Sequence, residues 1–278
     1  MNNKLEDIFN LKGRCYVVTG ATGLLGRKHA EAIACYGGIP IVIDLSKKLI
    51  DNFVDELNLK YNIKSIGLVV DITDEQAVKD SVDVLIEKFG KIDGLVNNAA
   101  NNPKVEESSD VNFSRLESFP LEYWNKDIAV GLTGSFLCAK HYGLAISKNI
   151  NGGSIVNISS DLGIIAPDQR LYAIEGVDDD HQNVKPVTYS VVKTGLIGLT
   201  RYLATYWIEN NVRCNAICPG GIENGQPDGF LKKVNSRIPI GRMAKVDEYQ
   251  GTLVWMLSDA SSYLNGAIVP VDGGRSVW

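Results

Sequence analysis

A tyrosine, a lysine and a serine in the second half of the chain have the spacing needed for acid–base chemistry. Tyr189 and Lys193 are four residues apart at the start of a segment with helical periodicity, so both side chains lie on one helix face. The lysine ammonium would lower the pKa of the phenol, and a phenol tuned towards neutral pH can serve as a general acid or base. Ser160 ends a predicted strand, where its hydroxyl could hydrogen-bond a substrate oxygen. We therefore predict these three residues as a catalytic set.

A glycine-rich turn near the start of the chain could hold a phosphate group. The sequence TGATGLLG covers residues 19–26 and joins a predicted strand to a predicted helix, with glycines at Gly20, Gly23 and Gly26. Residues without a Cβ atom let the backbone approach a pyrophosphate at the N-terminus of the helix. The alternative is a glycine-rich turn that binds no ligand.

An aspartate at the end of the second predicted strand bears on the choice of cofactor. The carboxylate of Asp44 could accept hydrogen bonds from both hydroxyls of an adenosine ribose and would repel a 2′-phosphate. The alternative is a helix N-cap or a solvated turn residue. No Arg or Lys lies within residues 20–26, so NAD is favoured over NADP, although Lys47 and Lys48 leave some use of NADP open.

Short β-branched runs alternate with helical patterns along the chain and set the positions of these residues. The predicted strands are CYVVTG, IPIVIDL, SIGLVVDI, GLVNNAA, SIVNISS, VRCNAICPG and AIVPVD. Strands that are apolar on both faces and separated by helices predict a parallel sheet covered on both sides. We therefore expect a doubly wound α/β fold in one domain over residues 1–278. Polar segments 101–120, 161–187 and 221–237 follow strand ends, where such sheets bind ligands, and we expect them to be loops.

Composition excludes several other classes of protein. The chain has 278 residues, 45% of them hydrophobic, and a formal net charge of −5, which gives no support to nucleic-acid binding. No apolar stretch approaches the roughly 20 residues of a membrane helix, and the charged N-terminus lacks the apolar core of a signal peptide. The three histidines are too scattered for a metal site. Five cysteines in apolar surroundings, without a CxxC pair, predict buried free thiols and a reducing, cytoplasmic compartment.

The motifs together resemble those of the short-chain dehydrogenase/reductase family, of the single-domain type, over nearly the whole chain. LKGRCYVVTG resembles the usual opening, NNAA at residues 97–100 the NNAG strand, and GSIVNISS the strand of the catalytic serine. Tyr189 and Lys193 match the active-site pair, and PIGRMAKVDE and VPVDGG resemble the C-terminal signature. The resemblance implies a Rossmann-type fold, a nicotinamide cofactor and a homodimer or homotetramer.

The resemblance also implies a role for each matching residue. Tyr189 exchanges a proton with the substrate oxygen and Ser160 orients that oxygen, while hydride passes between the cofactor and the substrate carbon. Lys193 lowers the pKa of the tyrosine and holds the nicotinamide ribose. Ser160 is preferred to Ser159 because Gly163 completes an SxxG setting. The residues expected to bind NAD are Thr19, Gly20, Gly23, Leu24, Leu25, Gly26, Asp44, Leu45, Asp71, Ile72, Asn98, Ala99, Ala100, Tyr189, Lys193, Pro219, Gly220 and Ile222.

Three features depart from the family pattern. Leu24 replaces a glycine of the turn, a spacing closer to extended members of the family such as sugar-nucleotide epimerases. Gly131 stands where the family has an asparagine that kinks a helix and supports a water relay, although its carbonyl could still serve a water. Residues 161–188 separate Ser160 from Tyr189, where the family gap is usually less than half as long. Tyr172 lies nearer the usual distance from Ser160, but no lysine follows it four residues later.

The additional residues, about 161–187, are either a surface excursion or a flap over the substrate. Their position between two predicted catalytic residues favours the flap, with Arg170 or Tyr172 reaching the substrate or the pocket wall. The acidic run at residues 178–180 should face solvent. The polar residues that could meet a substrate are Asn102, Lys104, Arg170, Tyr172, Lys185 and Glu223. As a set they suit a hydroxylated or phosphorylated compound better than a steroid or an acyl chain.

Three functions are compatible with these residues. The first is an NAD(H)-dependent oxidoreductase acting on a secondary alcohol or ketone of a sugar, sugar phosphate or nucleotide sugar, without a metal. The long loops and AANNP resemble dehydrogenases of flagellin-modification and nonulosonate-sugar pathways. The alternatives are a non-catalytic NAD-binding regulatory protein, suggested by Gly131, and an epimerase or dehydratase with tightly held NAD. The helix from about 188 to 209 is apolar nearly all round, so Tyr142, Tyr202 and Trp207 could meet a second subunit.

Overall fold

A parallel sheet forms the centre of the molecule, which the computed structural model describes over residues 7–101 and 114–278. The strands are β1 Cys15–Thr19, β2 Ile39–Asp44, β3 Ile66–Val69, β4 Gly94–Asn97, β5 Gly153–Ile158, β6 Val212–Pro219 and β7 Ile268–Val271. Their order across the sheet is β3-β2-β1-β4-β5-β6-β7, and every neighbouring pair is parallel. The order reverses between β1 and β4, which creates a crevice at the carboxyl ends of the strands. All seven predicted strands are confirmed.

Hydrophobic clusters cover both faces of this sheet. Val18 and Val42 belong to the cluster on one face, whereas their neighbours Val17 and Ile43 belong to the cluster on the other. All four side chains are fully buried. Because successive residues of a strand point to opposite faces, a strand buried on both sides must be apolar throughout. The prediction of a doubly wound α/β fold is confirmed.

The helices pack on the two faces of the sheet, and most lie where the sequence pattern placed them. They are α1 Leu24–Cys35, α2 Lys47–Tyr61, α3 Glu75–Phe89, α4 Leu121–Ile128, α5 Gly134–Ile146, α6 Val187–Tyr206, α7 Asp228–Asn235 and α8 Gln250–Leu257. Helix α7 corrects the expectation that residues 221–237 form a loop. It is only eight residues long, and its buried Val234 belongs to a small cluster with Leu171 and Ile238. Tertiary packing rather than a long periodic pattern stabilises this helix.

The helix predicted across residues 123–146 is interrupted by a π-helical segment, Ala129–Thr133, between α4 and α5. The carbonyl of Gly131 lies in this segment and accepts the hydroxyl of Ser135 at 2.9 Å. A Cβ atom on Gly131 would lie 2.5 Å from Cγ1 of Val192 on α6. The absence of a side chain at Gly131 therefore permits the close approach of α6. The helix that contains Gly131 is irregular at this point, although the asparagine that kinks it in the family pattern is missing.

The long segment between β5 and α6 is ordered by short 3₁₀ turns, Asp161–Gly163, Gln169–Tyr172 and Asp179–His181. Its middle is tied to the neighbouring elements, because Lys233 of α7 donates to the carbonyl of Ala173 at 2.6 Å and Arg115 donates to the carbonyl of Asp179 at 2.8 Å. The acidic run 178–180 is exposed, as predicted.

Two predictions about burial are wrong. Cys35 is exposed at the end of α1, whereas Cys15, Cys138, Cys214 and Cys218 are buried free thiols. Tyr142 was a candidate for a subunit contact, but it is fully buried in the core and its hydroxyl bonds Ser81. Cys35 lies on the solvent face of its helix and Tyr142 on the face towards the sheet. In both cases the position on the helix, and not the residue type, determines burial.

Some features are absent from the residues that the structure describes. They contain no helix that is both long and apolar enough to cross a membrane. Within residues 7–101 and 114–278 there is also no group of three or more His, Cys, Asp or Glu side chains that could hold a metal ion.

Candidate active site

The glycine-rich turn at the end of β1 is a close-packed cradle. Gly20 has φ +61°, and a Cβ atom there would lie 2.9 Å from Cα of Ala99. A Cβ atom on Gly26 would lie 2.1 Å from the carbonyl oxygen of Gly20. By contrast, a Cβ atom on Gly23 would meet only that carbonyl, at 3.3 Å. Helix α1 then begins with no side-chain cap and no acidic residue in its first turn, so its first N–H groups suit the pyrophosphate of a dinucleotide.

The segment after β4 holds this turn in place. The side-chain amide of Asn98 donates to the carbonyls of Thr19 and Gly20 at 2.9 and 3.1 Å. The backbone N–H groups of Asn98 and Ala99 both donate to the Thr19 hydroxyl, at 3.0 and 3.1 Å. Residues 19, 20, 98 and 99, predicted separately from two motifs, therefore form one structural unit at the sheet crevice.

Asp44 lies at the carboxyl end of β2, beside the glycine-rich turn. Its Oδ2 accepts the backbone N–H of Thr22 at 2.9 Å and the Thr22 hydroxyl at 2.7 Å, while Oδ1 accepts the N–H of Leu45 at 2.8 Å. The N-cap of α2 is Ser46, which excludes a capping role for Asp44 in that helix. A half-buried carboxylate in this position could hydrogen-bond an adenosine ribose.

The remaining residues expected to bind cofactor also line the carboxyl edge of the sheet. Asp71 accepts both the N–H and the hydroxyl of Thr73, at 2.9 and 2.7 Å, and Ile72 is buried. At the end of β6, the Gly220 carbonyl accepts the Tyr249 hydroxyl at 2.9 Å. Beyond it, Ile222 forms an isolated bridge with Ala244.

Tyr189 and Lys193 lie in the first turns of α6, as their spacing predicts. The ammonium of Lys193 is buried, donates to the carbonyl of Ile158 at 2.8 Å and lies 5.8 Å from the centre of the Tyr189 ring. Ser160 follows the end of β5 and is buried. The Ser159 hydroxyl instead donates to the carbonyl of Lys193 at 2.7 Å. The structure thus uses Ser159 to anchor α6 and leaves Ser160 beside the tyrosine.

Burial dominates the protonation of this pair. It raises the pKa of the Tyr189 phenol, and the interaction with the Ser160 hydroxyl opposes that rise. Burial also lowers the pKa of Lys193 to about 8. The expectation that the ammonium brings the pKa of the phenol towards neutral pH is therefore wrong for this structure, because the desolvation of the phenol is the larger effect.

A small cavity opens on one side of this pair. Lys185 and Pro186, at the end of the long segment, form part of its wall, and the ammonium of Lys185 lies 3.9 Å from the centre of the Tyr189 ring. Burial lowers the pKa of Lys185 to about 8. The Asp127 carboxylate, also in the wall, accepts the hydroxyl of Thr188 at 2.5 Å. The cavity is lined by Ala100, Asn101, Asp127, Gly131, Lys185, Pro186, Thr188, Tyr189, Val192 and Lys193.

The other candidate substrate residues are distributed differently. Tyr172 is close enough to Tyr189 and Asp161 for their charges to influence its pKa, which burial raises to about 12. Arg170 instead pairs with Asp168 at 2.8 Å, and 83% of its side chain is exposed. Glu223 is exposed beyond β6. The expectation that Arg170 reaches the pocket is therefore wrong, whereas Tyr172 does approach the predicted catalytic residues. Asn102 and Lys104 lie outside the described residues.

Sequence reasoning missed three charged residues at the site. Asp127 on α4 lines the cavity, and Asp161 follows Ser160 directly. Arg275, near the end of the chain, pairs with Asp161 at 2.9 Å. Asp161 could have been noticed from its position next to the predicted catalytic serine. Neither Asp127 nor Arg275 belongs to a motif, and only the fold brings them here.

Comparison with known proteins identifies the family of the chain. The family model for short chain dehydrogenases matches residues 14–173, and a related model described as enoyl-(acyl carrier protein) reductase matches residues 179–276. The chain therefore belongs to the short-chain dehydrogenase family, and it is an oxidoreductase of that family.

Individual relatives cover nearly the whole chain. An NADP-dependent mannitol dehydrogenase from Alternaria alternata is 32% identical to this chain. The alignment covers 99% of this chain and 96% of the mannitol dehydrogenase. The post-translational flagellin modification protein A of Campylobacter coli is 28% identical, covering 95% of this chain and 98% of its own. A solved structure from Agrobacterium tumefaciens, provisionally described as a gluconate dehydrogenase, superposes with a TM-score of 0.83. It is 27% identical and covers 98% of this chain and 99% of its own.

Proposed function

We propose that this protein is an NAD(H)-dependent dehydrogenase that interconverts a secondary alcohol and a ketone on a hydroxylated, sugar-like compound. The observation that carries the proposal is the meeting of two units at one edge of the sheet. One unit is the glycine-rich cradle with Asp44, and the other is Tyr189 with Lys193 and Ser160 beside a cavity. A dinucleotide held by the first unit would present its reactive end to the second.

The charges around Asp44 support NAD over NADP. A 2′-phosphate would approach the Asp44 carboxylate, and two cations of the adjoining helices are already paired. Lys47 bonds Asp51 at 2.8 Å, and Arg27 bonds Glu56 at 2.5 Å. The NADP-dependent mannitol dehydrogenase among the relatives makes the opposite preference the natural competing proposal.

The proton step would be carried by the side chains of this chain. In the direction of oxidation, Tyr189 acts as the phenolate and takes the proton of the substrate hydroxyl, while Ser160 orients the substrate oxygen. Lys193, fixed by the carbonyl of Ile158, places a positive charge beside the phenol. A bound nicotinamide cofactor would supply the acceptor for the hydride of the substrate carbon. Reduction runs these steps in reverse, with Tyr189 as the acid.

The cavity wall and the relatives together support a hydroxylated substrate. Lys185 and Asp127 give the wall opposite charges, and the hydroxyl of Thr188 adds a polar group. Mannitol and gluconate, the compounds in the names of two relatives, are both polyhydroxylated. A 3-oxoacyl-[acyl-carrier-protein] reductase from Thermotoga maritima is 31% identical, so an acyl thioester is the second candidate to test.

The surface of α6 supports a homodimer or homotetramer. Tyr202 and Tyr206 stack on each other with ring centres 5.5 Å apart, and each residue is about 60% exposed. Large aromatic side chains exposed together on a helix are typical of subunit contacts. We also propose a cytoplasmic location, since the cysteines are free thiols.

A substrate screen tests the proposed function. The purified protein is incubated with NAD⁺ or NADP⁺ and a panel of polyols, sugar acids, sugar phosphates and nucleotide sugars, and NAD(P)H absorbance is followed. We expect NADH formation with at least one compound. Cofactor binding without turnover on the whole panel would favour the regulatory alternative. A new sugar product without net NADH would favour the epimerase or dehydratase, and activity confined to acyl thioesters would contradict the sugar-like substrate.

A further inference from the structure

A buried ion pair lies directly behind the predicted catalytic serine. Oδ1 of Asp161 accepts the hydroxyl of Ser160 at 2.8 Å, and Oδ2 accepts Nη1 of Arg275 at 2.9 Å. The side chains of Asp161 and Arg275 are only 3% and 11% exposed. The two residues are 114 positions apart, so the contact joins the β5 edge to the C-terminal segment.

The hydrogen bonds fix the direction of the serine hydroxyl. A carboxylate paired with arginine has no proton to donate, so Ser160 must be the donor to Asp161. Oγ of Ser160 also accepts the N–H of Leu162 at 3.2 Å. The backbone N–H of Leu162 also donates to Oδ1 of Asp161, at 2.8 Å, which holds the carboxylate in place. In this structure the proton of Ser160 is therefore directed to Asp161.

The C-terminal segment places the arginine with precision. Oδ1 and Oδ2 of Asp272 accept the N–H groups of Gly274 and Ser276 at 2.9 and 2.8 Å, which folds the chain back on either side of Arg275. A Cβ atom on Gly274 would lie 2.9 Å from Pro239. These contacts hold the Arg275 side chain in a buried position, 11% exposed.

We propose that Asp161 and Arg275 are a positioning pair that sets the direction of the Ser160 hydroxyl and, through it, the proton step at Tyr189. This inference rests on the proposed function. It assigns a role in the reaction to two residues outside the predicted catalytic set, one of them three positions before the last residue.

Several charged and titratable groups face Tyr189 and must be distinguished from the pair. The negative charge of Asp161 opposes formation of the phenolate, which raises the pKa of Tyr189 beyond the effect of burial. Lys193 comes from the same helix and Lys185 from the segment before it. Among the described residues, the groups near Tyr189 include Ser160, Asp161, Tyr172, Lys185, Lys193 and Tyr249, with Asp127 in the same cavity wall and Arg275 behind Asp161.

Steady-state kinetics on a substrate from the screen test the pair in the full-length protein. We expect Asp161→Asn and Arg275→Met to lower kcat by about tenfold, with little change in the KM for NAD⁺, because they leave the cofactor cradle intact. Arg275→Lys should recover part of the loss. In a Ser160→Ala background, Asp161→Asn should change kcat by no more than about twofold, since its effect passes through the serine. Asp259→Asn, which breaks the ion pair with Arg14 before β1, is the matched control and should leave kcat unchanged.

A spectroscopic readout removes the dependence on turnover. With tyrosine labelled at ¹³Cζ and the Tyr189 signal assigned from Tyr189→Phe, the fraction of phenolate is measured near pH 10, the ordinary pKa of a tyrosine. Asp161→Asn should increase that fraction over wild type and Asp259→Asn, and the increase should be at least halved in the Ser160→Ala background. Lack of turnover by the wild type on the whole panel would count against the proposed function alone. The phenolate measurement would still show whether Asp161 and Arg275 influence Tyr189. A fully additive loss of kcat, or a Tyr189 signal that Asp161→Asn does not move, would overturn the positioning role.

Discussion

Replacing Asp44 by asparagine should weaken the preference for NAD(H) without removing the shape of the site. The carboxylate already accepts three hydrogen bonds, two from Thr22 and one from Leu45. A carboxylate has about four acceptor positions, so roughly one remains for a ribose hydroxyl unless Thr22 gives way. Asparagine keeps one acceptor oxygen, which can still serve Thr22, but its amide nitrogen cannot accept the N–H of Leu45, and the negative charge is lost.

The size of the effect follows from Coulomb's law. A carboxylate about 4 Å from a phosphate charge is repelled by about 4 kcal/mol at an effective dielectric constant near 20, and by about 1 kcal/mol in bulk water. Asp44 is half-buried, so its environment lies between these limits. The repulsion therefore corresponds to a discrimination of roughly fivefold to a thousandfold against NADPH. Asp44→Asn should reduce the ratio of the two dissociation constants by at least about fivefold.

The assay is titration of the protein with NADH and with NADPH, followed by cofactor fluorescence. Taking the ratio of dissociation constants cancels any loss of the turn's stability, because such a loss weakens both cofactors equally. Ser46→Ala is the matched control: it removes the side-chain cap of α2 next to Asp44 without removing a charge, and it should leave the ratio unchanged. NADPH binding as tight as NADH binding by the unmodified protein, or a ratio that Asp44→Asn leaves in place, would refute the reasoning.

Three further predictions concern the fold around the site. Gly26→Ala should abolish cofactor binding in a titration with NADH, because the new Cβ atom would lie 2.1 Å from the carbonyl oxygen of Gly20. Gly198→Ala on α6 is the control, because a Cβ atom there has open space. It should raise the free energy of unfolding by about 0.5–1 kcal/mol in thermal unfolding. Burial lowers the pKa of His29 from 6.5 to about 4. Between these pH values the unfolded chain therefore binds more protons than the folded protein does. The stability present above pH 6.5 should fall as the pH falls towards 4. Melting temperatures across this range should fall less for His29→Leu than for wild type. Lys193→Met should weaken NADH binding and lower turnover together in the same two assays, and a loss of turnover with unchanged NADH binding would contradict a contact with the ribose.

The strands and the glycine-rich turn were predictable because each depends on residues adjacent in the sequence. Val17 and Val18 are apolar on successive positions since β1 is buried on both faces. Gly26 has no tolerance for a side chain, so its spacing from Gly20 is visible in the sequence. The same is true of the Tyr189 and Lys193 pair, whose four-residue spacing is a property of one helix.

The rest of the site depends on contacts between distant segments. Asp161 and Arg275 are 114 positions apart, and Asp168 and Arg237 are 69 apart. No local pattern marks such pairs. The pKa of Tyr189 was mispredicted for a related reason, because the desolvation of the phenol depends on how many elements pack around it, and a spacing of four residues gives no measure of that.

The most direct test of the central claim compares Tyr189→Phe with Tyr172→Phe and the wild type, using the best substrate from the screen. NADH binding is measured by titration and turnover by the formation of NADH. Phenylalanine keeps the ring that packs against Lys185 and removes only the hydroxyl. We predict that Tyr189→Phe binds NADH as tightly as wild type and loses turnover by about 10²–10⁴-fold, while Tyr172→Phe keeps most of it. Retention of most activity by Tyr189→Phe, with loss of activity in Tyr172→Phe, would contradict the assignment of Tyr189 as the acid–base residue.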